Sequence, residues 1–431
     1  WTPIGGGSTL AVTQGYSGTF DGQGHAARGL YLKSSGTSDT YYALFGRCFS
    51  ATIKNLSVYG AAYANTMGVA GIVGRLANPA VGEPVSVMEN CHNFVEIKAL
   101  DTTNTKNYGH AGVVASVQNA VIRNCSNQAN INGVRGGVAG IVGVIEANGS
   151  SVTIENCWNT GDITMTGCDT MRYGVGGIVG LMDNNTVTVS SCYNTGKIAF
   201  ESDAAKAIGA AGNGTLTIEN CYNTGNISSE NLTTTGRANG IFGKNYNAQK
   251  PVLTVTDSYY LTESAPADKK TNGTPADTPA ELSEKILESA GEAYIDSCPT
   301  PVLKGQTAVE HSAPDDTGCC TVCKKELVKT PVPTRKTDYP AESQAVVQTG
   351  KAYLLSDLQT GKVFDPVEGQ TLNYKNYSYQ RSTDGGKTWG PMTGFAEAMG
   401  TTIQLTETAA GTYGYRFFAS HDGVHFSKET W

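Results

Sequence analysis

Cys298, His311, Cys320 and Cys323 have the types and spacing of a metal site. Cys320-x-x-Cys323 can present two thiolates from one turn, and the upstream His and Cys would complete a tetrahedral zinc set. Four protein ligands leave no open position, so such a metal would be structural rather than catalytic. Cys319 is adjacent and only one CxxC is present. Two other readings therefore stand beside zinc: a disulfide from Cys298 to one of the other three, which export would favour, or unmodified thiols. A second group is the aromatic column Trp158, Tyr193, Tyr222 and Tyr259. Strand alternation points these side chains outward, where they could stack on sugar rings; the alternative is that they stack on one another or lie beneath a helix. A third column is Lys54, Glu89, Arg123, Glu155, Ser190 and Glu219. Its signs alternate over the first four positions, so neighbours at strand spacing neutralise each other. A polysaccharide lyase needs clustered acids for calcium and a basic proton acceptor, and a glycoside hydrolase needs paired carboxylates at a defined separation. Asp162, Asp169 and Asp183 lie nearby without converging on either pattern, and no catalytic residue is assigned.

The elements that would position these residues are written into a repeat. Asn-Cys-x-Asn returns around Cys91, Cys125, Cys157, Cys192 and Cys221, with Ser191 replacing the first Asn once. The cysteines are 34, 32, 35 and 29 residues apart, a period that marks stacked repeats. Three residues before each cysteine stands Met88, Ile122, Ile154, Val189 or Ile218, and six after it Ile97, Ile131, Ile163, Ile198 or Ile227. A further segment recurs as Gly71-Ile72-Val73-Gly74, Gly140-Ile141-Val142-Gly143 and Gly177-Ile178-Val179-Gly180, with a worn copy at 209–212. Glycine, β-branched residues and Asn dominate, which favours short strands over helices. One coil cannot bury its apolar edge alone, but a stack can. The pattern predicts an all-β chain built on a right-handed parallel β-helix. In that stack the cysteines form a buried column of thiols whose side-by-side Cβ vectors suit disulfides poorly. Asn93, Asn127, Asn159, Asn194 and Asn223 form an amide ladder at the bends.

Gly-Gly-Ile-Val-Gly and Asn-Cys-Tyr-Asn-Thr-Gly resemble the GLUG-type repeats of bacterial surface proteins, and Gly18-Thr19-Phe20-Asp21-Gly22-Gln23-Gly24-His25 resembles the entry coil that precedes such repeats. The resemblance covers about residues 1 to 262 and implies an extracellular setting. Ser382-Thr383-Asp384-Gly385-Gly386-Lys387-Thr388-Trp389 resembles an Asp-box, with a looser copy at 420–426. Two such boxes cannot build a propeller, so they are read as hairpin turns.

The expected organisation is a β-helix over 1–304, a cysteine-containing linker over 305–340, and an antiparallel immunoglobulin- or cadherin-like β-sandwich over 341–431. The sandwich is expected to be truncated, and the chain itself to be part of a longer protein. Thr278-Pro279-Ala280-Glu281 has the cap, N1 proline and acidic residue of a helix start, predicting a helix over 279–290 that covers the end of the β-helix. A net charge of −7 with no basic stripe argues against nucleic acid, and no apolar run of 18 residues exists to span a membrane. The expected function is a non-catalytic, adhesin-like module of the bacterial cell surface or a secreted protein. It would be a monomeric rigid spacer binding a glycan or host surface protein, without a cofactor unless zinc occupies 298–323. The alternative is a β-helix polysaccharide lyase or glycoside hydrolase.

Overall fold

A computed structural model describes residues 2–6, 15–33, 41–64, 68–78, 85–99, 109–134, 136–146, 149–166, 174–182, 184–200, 205–206, 214–229, 240–241, 252–265, 272–315, 318–327, 334–335, 353–354, 364–365, 376–396, 404–405 and 407–420. They fall in two compact units, Trp1–Glu310 and His311–Trp431. Asp169, Asp183, the 209–212 segment, the second Asp-box-like stretch beyond Ser420 and most of the expected sandwich lie outside the described residues.

The first unit is a parallel β-helix. The apolar residues ahead of the cysteines stack in register: Met88 beside Ile122, Ile122 beside Ile154, Ile154 beside Val189, and Val189 beside Ile218. Ile97, Ile131, Ile163, Ile198 and Ile227 form a second column, and Val73, Val114, Val142 and Val179 a third. These residues are buried and belong to one continuous core. Like sits on like because every coil must present the same width to its neighbour, and a one-residue slip would turn each apolar column outward.

The Gly-Ile-Val-Gly segment is not a single strand. Gly140 and Ile141 make a bend between strands Gly137–Ala139 and Val142–Ile145. The asparagine column explains the glycine. A Cβ on Gly140 would lie 2.4 Å from Asn159 Oδ1 and 2.4 Å from the Gly177 carbonyl oxygen, so only hydrogen fits between amide and backbone. The amides run as one ladder. Asn93 Nδ2 donates to Asn127 Oδ1, Asn127 to Asn159, Asn159 to Asn194 and Asn194 to Asn223, each at 2.7 Å. Asn223 closes it on Ser264 Oγ at 3.2 Å. Each Nδ2 also donates to the carbonyl two residues on, as Asn159 does to Gly161 at 2.8 Å.

The asparagine before each cysteine has a different task. Asn90, Asn124, Asn156 and Asn220 have φ of 50°, 54°, 52° and 53°, and Ser191 has 49°. This left-handed region costs most side chains about 1–2 kcal/mol but is tolerated by Asn. Ser191→Asn should therefore raise stability by roughly 0.5–1 kcal/mol, read as an increase in unfolding midpoint. No change would mean that Ser191 already offsets the strain. The following cysteine is unbridged and buried at Cys91, Cys125, Cys157, Cys192 and Cys221. Its sulfur has a polar role beyond filling space: Cys157 N–H donates to Cys192 Sγ at 3.3 Å and Cys192 N–H to Cys221 Sγ at 3.4 Å.

Helix α1, Pro279–Ala290, begins as its sequence predicts. Glu281 N–H donates to Thr278 Oγ1 at 3.1 Å, and Asp277 N–H donates to Glu281 Oε2 at 2.7 Å. Its buried face, Leu282, Ile286 and Ala290, packs with Tyr193, Tyr222, Leu261 and Leu303, a cluster separate from the interior core. The helix thus lies on the outer face of the last coils rather than on their open interior. The outward aromatic rings are the large apolar surface it can bury.

In the second unit Asn376–Ser382 lies between Thr393–Ala396 and Gly414–Ser420 in an antiparallel sheet. Tyr413 donates its hydroxyl to the Ala409 carbonyl at 2.9 Å. No helix among the described residues is long and apolar enough to cross a membrane.

Candidate metal centre and the covered aromatic column

The metal-ligand candidates meet. One ligand atom from each of Cys298, His311, Cys320 and Cys323 lies within 4.8 Å of every other. Around a tetrahedral zinc, ligand atoms at about 2.0–2.3 Å from the ion stand roughly 3.5–3.8 Å apart, so the set needs only a small contraction. His311 Nδ1 is already 3.3 Å from Cys323 Sγ. Local backbone builds the turn. Lys324 N–H donates to the Cys320 carbonyl at 2.9 Å, Cys320 N–H donates to the Lys325 carbonyl at 2.8 Å, and Lys324 has φ 64°. This left-handed residue folds the chain back immediately after the second cysteine. On the upstream side Cys298 N–H donates to the Val309 carbonyl at 2.9 Å, and Val309 N–H to Ser297 Oγ at 2.8 Å.

The electrostatics favour a thiolate. Burial pushes the Cys320 thiol up, but hydrogen bonds from Ser312, the backbone N–H groups of Cys323 and Val322, and His311 outweigh it and bring the thiol down to about 5. Ser312 Oγ lies 3.1 Å from Cys320 Sγ. Convergent N–H and O–H donors are what a metal-bound sulfur accepts. Cys298, Cys320 and Cys323 are buried and His311 is half-buried. The coil cysteines behave oppositely. Burial raises Cys125, Cys157 and Cys192 well above the usual thiol range, which leaves them protonated and unreactive.

The aromatic column points outward from the coils, as alternation requires, but it is not an open platform. Tyr222 is completely buried and Tyr193 nearly so; Trp158 and Tyr259 are half-buried. Tyr193 and Tyr222 stack with centroids 5.0 Å apart and planes 2° from parallel, while Trp158 stands 6.3 Å from Tyr193. Tyr294 closes on Tyr222 at 5.7 Å. The expectation of an exposed sugar-stacking surface is therefore corrected for Tyr193 and Tyr222: α1 and the segment after it use these rings as their own core. Gln306, expected to begin a linker, takes part. Its Nε2 donates to Tyr193 Oη at 2.9 Å, and its Oε1 accepts from Leu303 N–H at 2.6 Å. Nothing in the sequence flagged Gln306. The apolar residues Tyr294, Val302 and Leu303 were the available sign that the chain continues to pack there.

Burial of these phenols has a pH consequence. Burial pushes Tyr193 up to about 12, and raises Tyr222 and Tyr294 well above the ordinary phenol value. The unfolded chain loses these protons near pH 10, so between there and the raised folded values the native state binds more protons. Their contribution is complete below about pH 10 and declines as pH climbs from there. Unfolding free energy measured from pH 9 to 12 should fall steadily, and less steeply in Tyr222→Phe; equal slopes would show that Tyr222 does not drive the loss.

The other sequence candidates are absorbed locally. Within the charged column Arg123 Nε lies 3.1 Å from Glu89 Oε1, whereas Lys54 Nζ turns to Asp21 Oδ2 at 3.3 Å, outside the column read from the sequence. Asp162 Oδ1 accepts from Lys197 N–H at 2.9 Å, bridging one coil to the next. Asp384 Oδ1 accepts from Ser382 Oγ at 2.7 Å and Thr388 N–H at 2.9 Å, and its Oδ2 accepts from Thr388 Oγ1 at 2.6 Å. Those bonds, led by the Thr388 hydroxyl, hold the carboxyl down to about 2. The carboxylate closes its own turn.

No family model matches this chain, and no curated protein matches its sequence. Among solved structures, a Bacteroides ovatus protein provisionally described as an immunoglobulin A1 protease is similar in part. It shares 15% identity over 67% of this chain and 77% of its own, with a TM-score of 0.44.

Proposed function

We propose that this chain is a non-catalytic, extracellular module of a bacterial surface protein. Its right-handed, GLUG-type β-helix would act as a stiff spacer and as an interaction surface for a glycan or host surface protein. The antiparallel strands of the second unit, with the Tyr413 hydroxyl bonded back to Ala409, are read as part of an immunoglobulin- or cadherin-like sandwich, in which a tyrosine corner has that bond. The observation that carries the reading is the amide ladder from Asn93 to Ser264. The polar side chains that recur from coil to coil bond one another and rigidify the rod. A catalytic groove would aim them at a substrate.

The Cys298, His311, Cys320 and Cys323 set is read as a structural zinc centre that staples the chain just beyond α1. The donors around Cys320 Sγ support zinc over a disulfide, because a disulfide sulfur carries no charge for them to stabilise. Metal analysis of chain purified without chelator should give one zinc per chain. Cys320→Ser and Cys323→Ser should abolish it, and Cys319→Ser should leave it. A mass two hydrogen atoms lighter than the reduced chain, with no metal, would establish a disulfide instead. For the module as a whole, polysaccharide retention without reducing-sugar or unsaturated products is the expected result; turnover of a retained polymer would sink the non-catalytic reading.

A further inference from the structure

The covered rings of the last coils contrast with an aromatic face at the other end of the β-helix. Strands β1 (Ala26–Lys33), β2 (Phe45–Ala64) and β3 (Ser86–Ala99) are parallel neighbours. Their outward positions align in rows. Tyr59 pairs with Phe94; Tyr31 with Ala61 and Ala61 with Glu96; Lys33 with Tyr63 and Tyr63 with Lys98. Tyr59 and Phe94 stack with centroids 4.3 Å apart, and the Arg28 guanidinium lies 4.0 Å from the Tyr59 centroid. Tyr63 and Tyr31 lie 5.9 Å apart, with Tyr31 55% exposed. Tyr59, Ala61 and Tyr63 alternate along one strand, so the two tyrosines are separated by about 13 Å with the Ala61 methyl group between them on that strand. The result is a shallow trough whose floor is the row Tyr31, Ala61 and Glu96, ridged by Arg28, Tyr59 and Phe94 on one side and by Lys33, Tyr63 and Lys98 on the other.

We propose that this trough binds an acidic polysaccharide carrying uronate carboxylates. The proposal rests on the reading of the β-helix as a glycan-binding module and gives that reading a location and a ligand class. Aromatic side chains standing at the surface offer C–H faces of pyranose rings an apolar partner without covering the sugar hydroxyls. Arg28, Lys33 and Lys98 are exposed and outnumber Glu96, the acid among them, in a chain whose net charge is −7. A local positive patch on an acidic protein selects anionic ligands against its own background field. Successive coils are about 4.8 Å apart, so the cations on β1 and β3 can meet carboxylates on neighbouring parts of a polymer lying along the axis.

The test uses the full chain and a panel of polygalacturonate, hyaluronan and carboxyl-reduced hyaluronan in affinity electrophoresis. At least one uronate polymer should retard the chain, the carboxyl-reduced form should not, and raising salt should weaken retention. Tyr63→Ala and the double change Lys33→Gln with Lys98→Gln should each weaken it at least 10-fold while leaving the unfolding midpoint in place. Tyr222→Phe, altered on the covered column, should not change it. Retention unaffected by the trough variants overturns the site while the glycan-binding reading stands; equal retention of the carboxyl-reduced polymer overturns the ligand class. No retention by any polymer overturns both. Concentration-dependent self-association lost in Tyr63→Ala identifies a second copy of this chain as the occupant, and also overturns the proposal.

Discussion

Tyr222→Ala should lower the stability of the last coils and their covering helix by about 3–5 kcal/mol, the range for emptying a buried aromatic site. Tyr222 is fully buried between the parallel ring of Tyr193 and the tilted ring of Tyr294, and α1 supplies Leu282 and Ile286 to the same cluster. Removing the ring opens a cavity that stacked coils cannot close without breaking register. It also strands the Pro301 carbonyl, which accepts the Tyr222 hydroxyl, and an unpaired buried acceptor costs about 1–3 kcal/mol. Tyr222→Phe isolates that second part and should cost about 1–2 kcal/mol. Trp158→Ala should cost less than Tyr222→Ala although it deletes a larger ring, because Trp158 is only half-buried and its Tyr193 neighbour is 6.3 Å away. Urea unfolding with far-UV detection orders the three variants. If Trp158→Ala proves the most damaging, the covered column is not organised around Tyr222.

The same column shows what could be read in the sequence and what could not. Alternation around Ile154 and Cys157 is local, so it correctly placed Trp158, Tyr193 and Tyr222 outside the coil. Whether outside meant exposed depended on where residues 291–306 return, and that is set by contacts between positions up to 113 apart, such as Gln306 with Tyr193. The amide ladder was legible because parallel stacking puts identical residues one rung apart. The asparagine ahead of each cysteine was visible as a column, but its reason was hidden: a left-handed φ is a backbone property, and only its recurrence at Ser191 and at Asp257, with φ 43°, shows that conformation rather than side-chain bonding is conserved from coil to coil. The metal set was legible from residue type alone. The aromatic trough was not, because Tyr31, Tyr59 and Tyr63 precede Cys91, the first cysteine of the repeat, and fall in none of the columns that the repeat cysteines define.

Asn159→Val should cost about 3–6 kcal/mol, because it interrupts the ladder in mid-stack and leaves several buried polar groups without partners. Asn127 Nδ2 loses its acceptor, and Asn194 Oδ1 and the Gly161 carbonyl lose their donor. Valine itself fits the slot, since Val58 occupies it one coil before Asn93, so the loss reports hydrogen bonding rather than overpacking. The ladder also predicts how two losses combine. Asn194→Val alone strands its own set of partners, including the Asn159 amide. In the double variant the group that each change strands on the other is gone, so the combined cost should fall short of the sum by about 0.5–3 kcal/mol. Asn93→Val with Asn194→Val, which share no bond, should add. If denaturant midpoints show the neighbouring pair to be additive as well, the amides act coil by coil, and the rod owes its stiffness to its apolar columns alone.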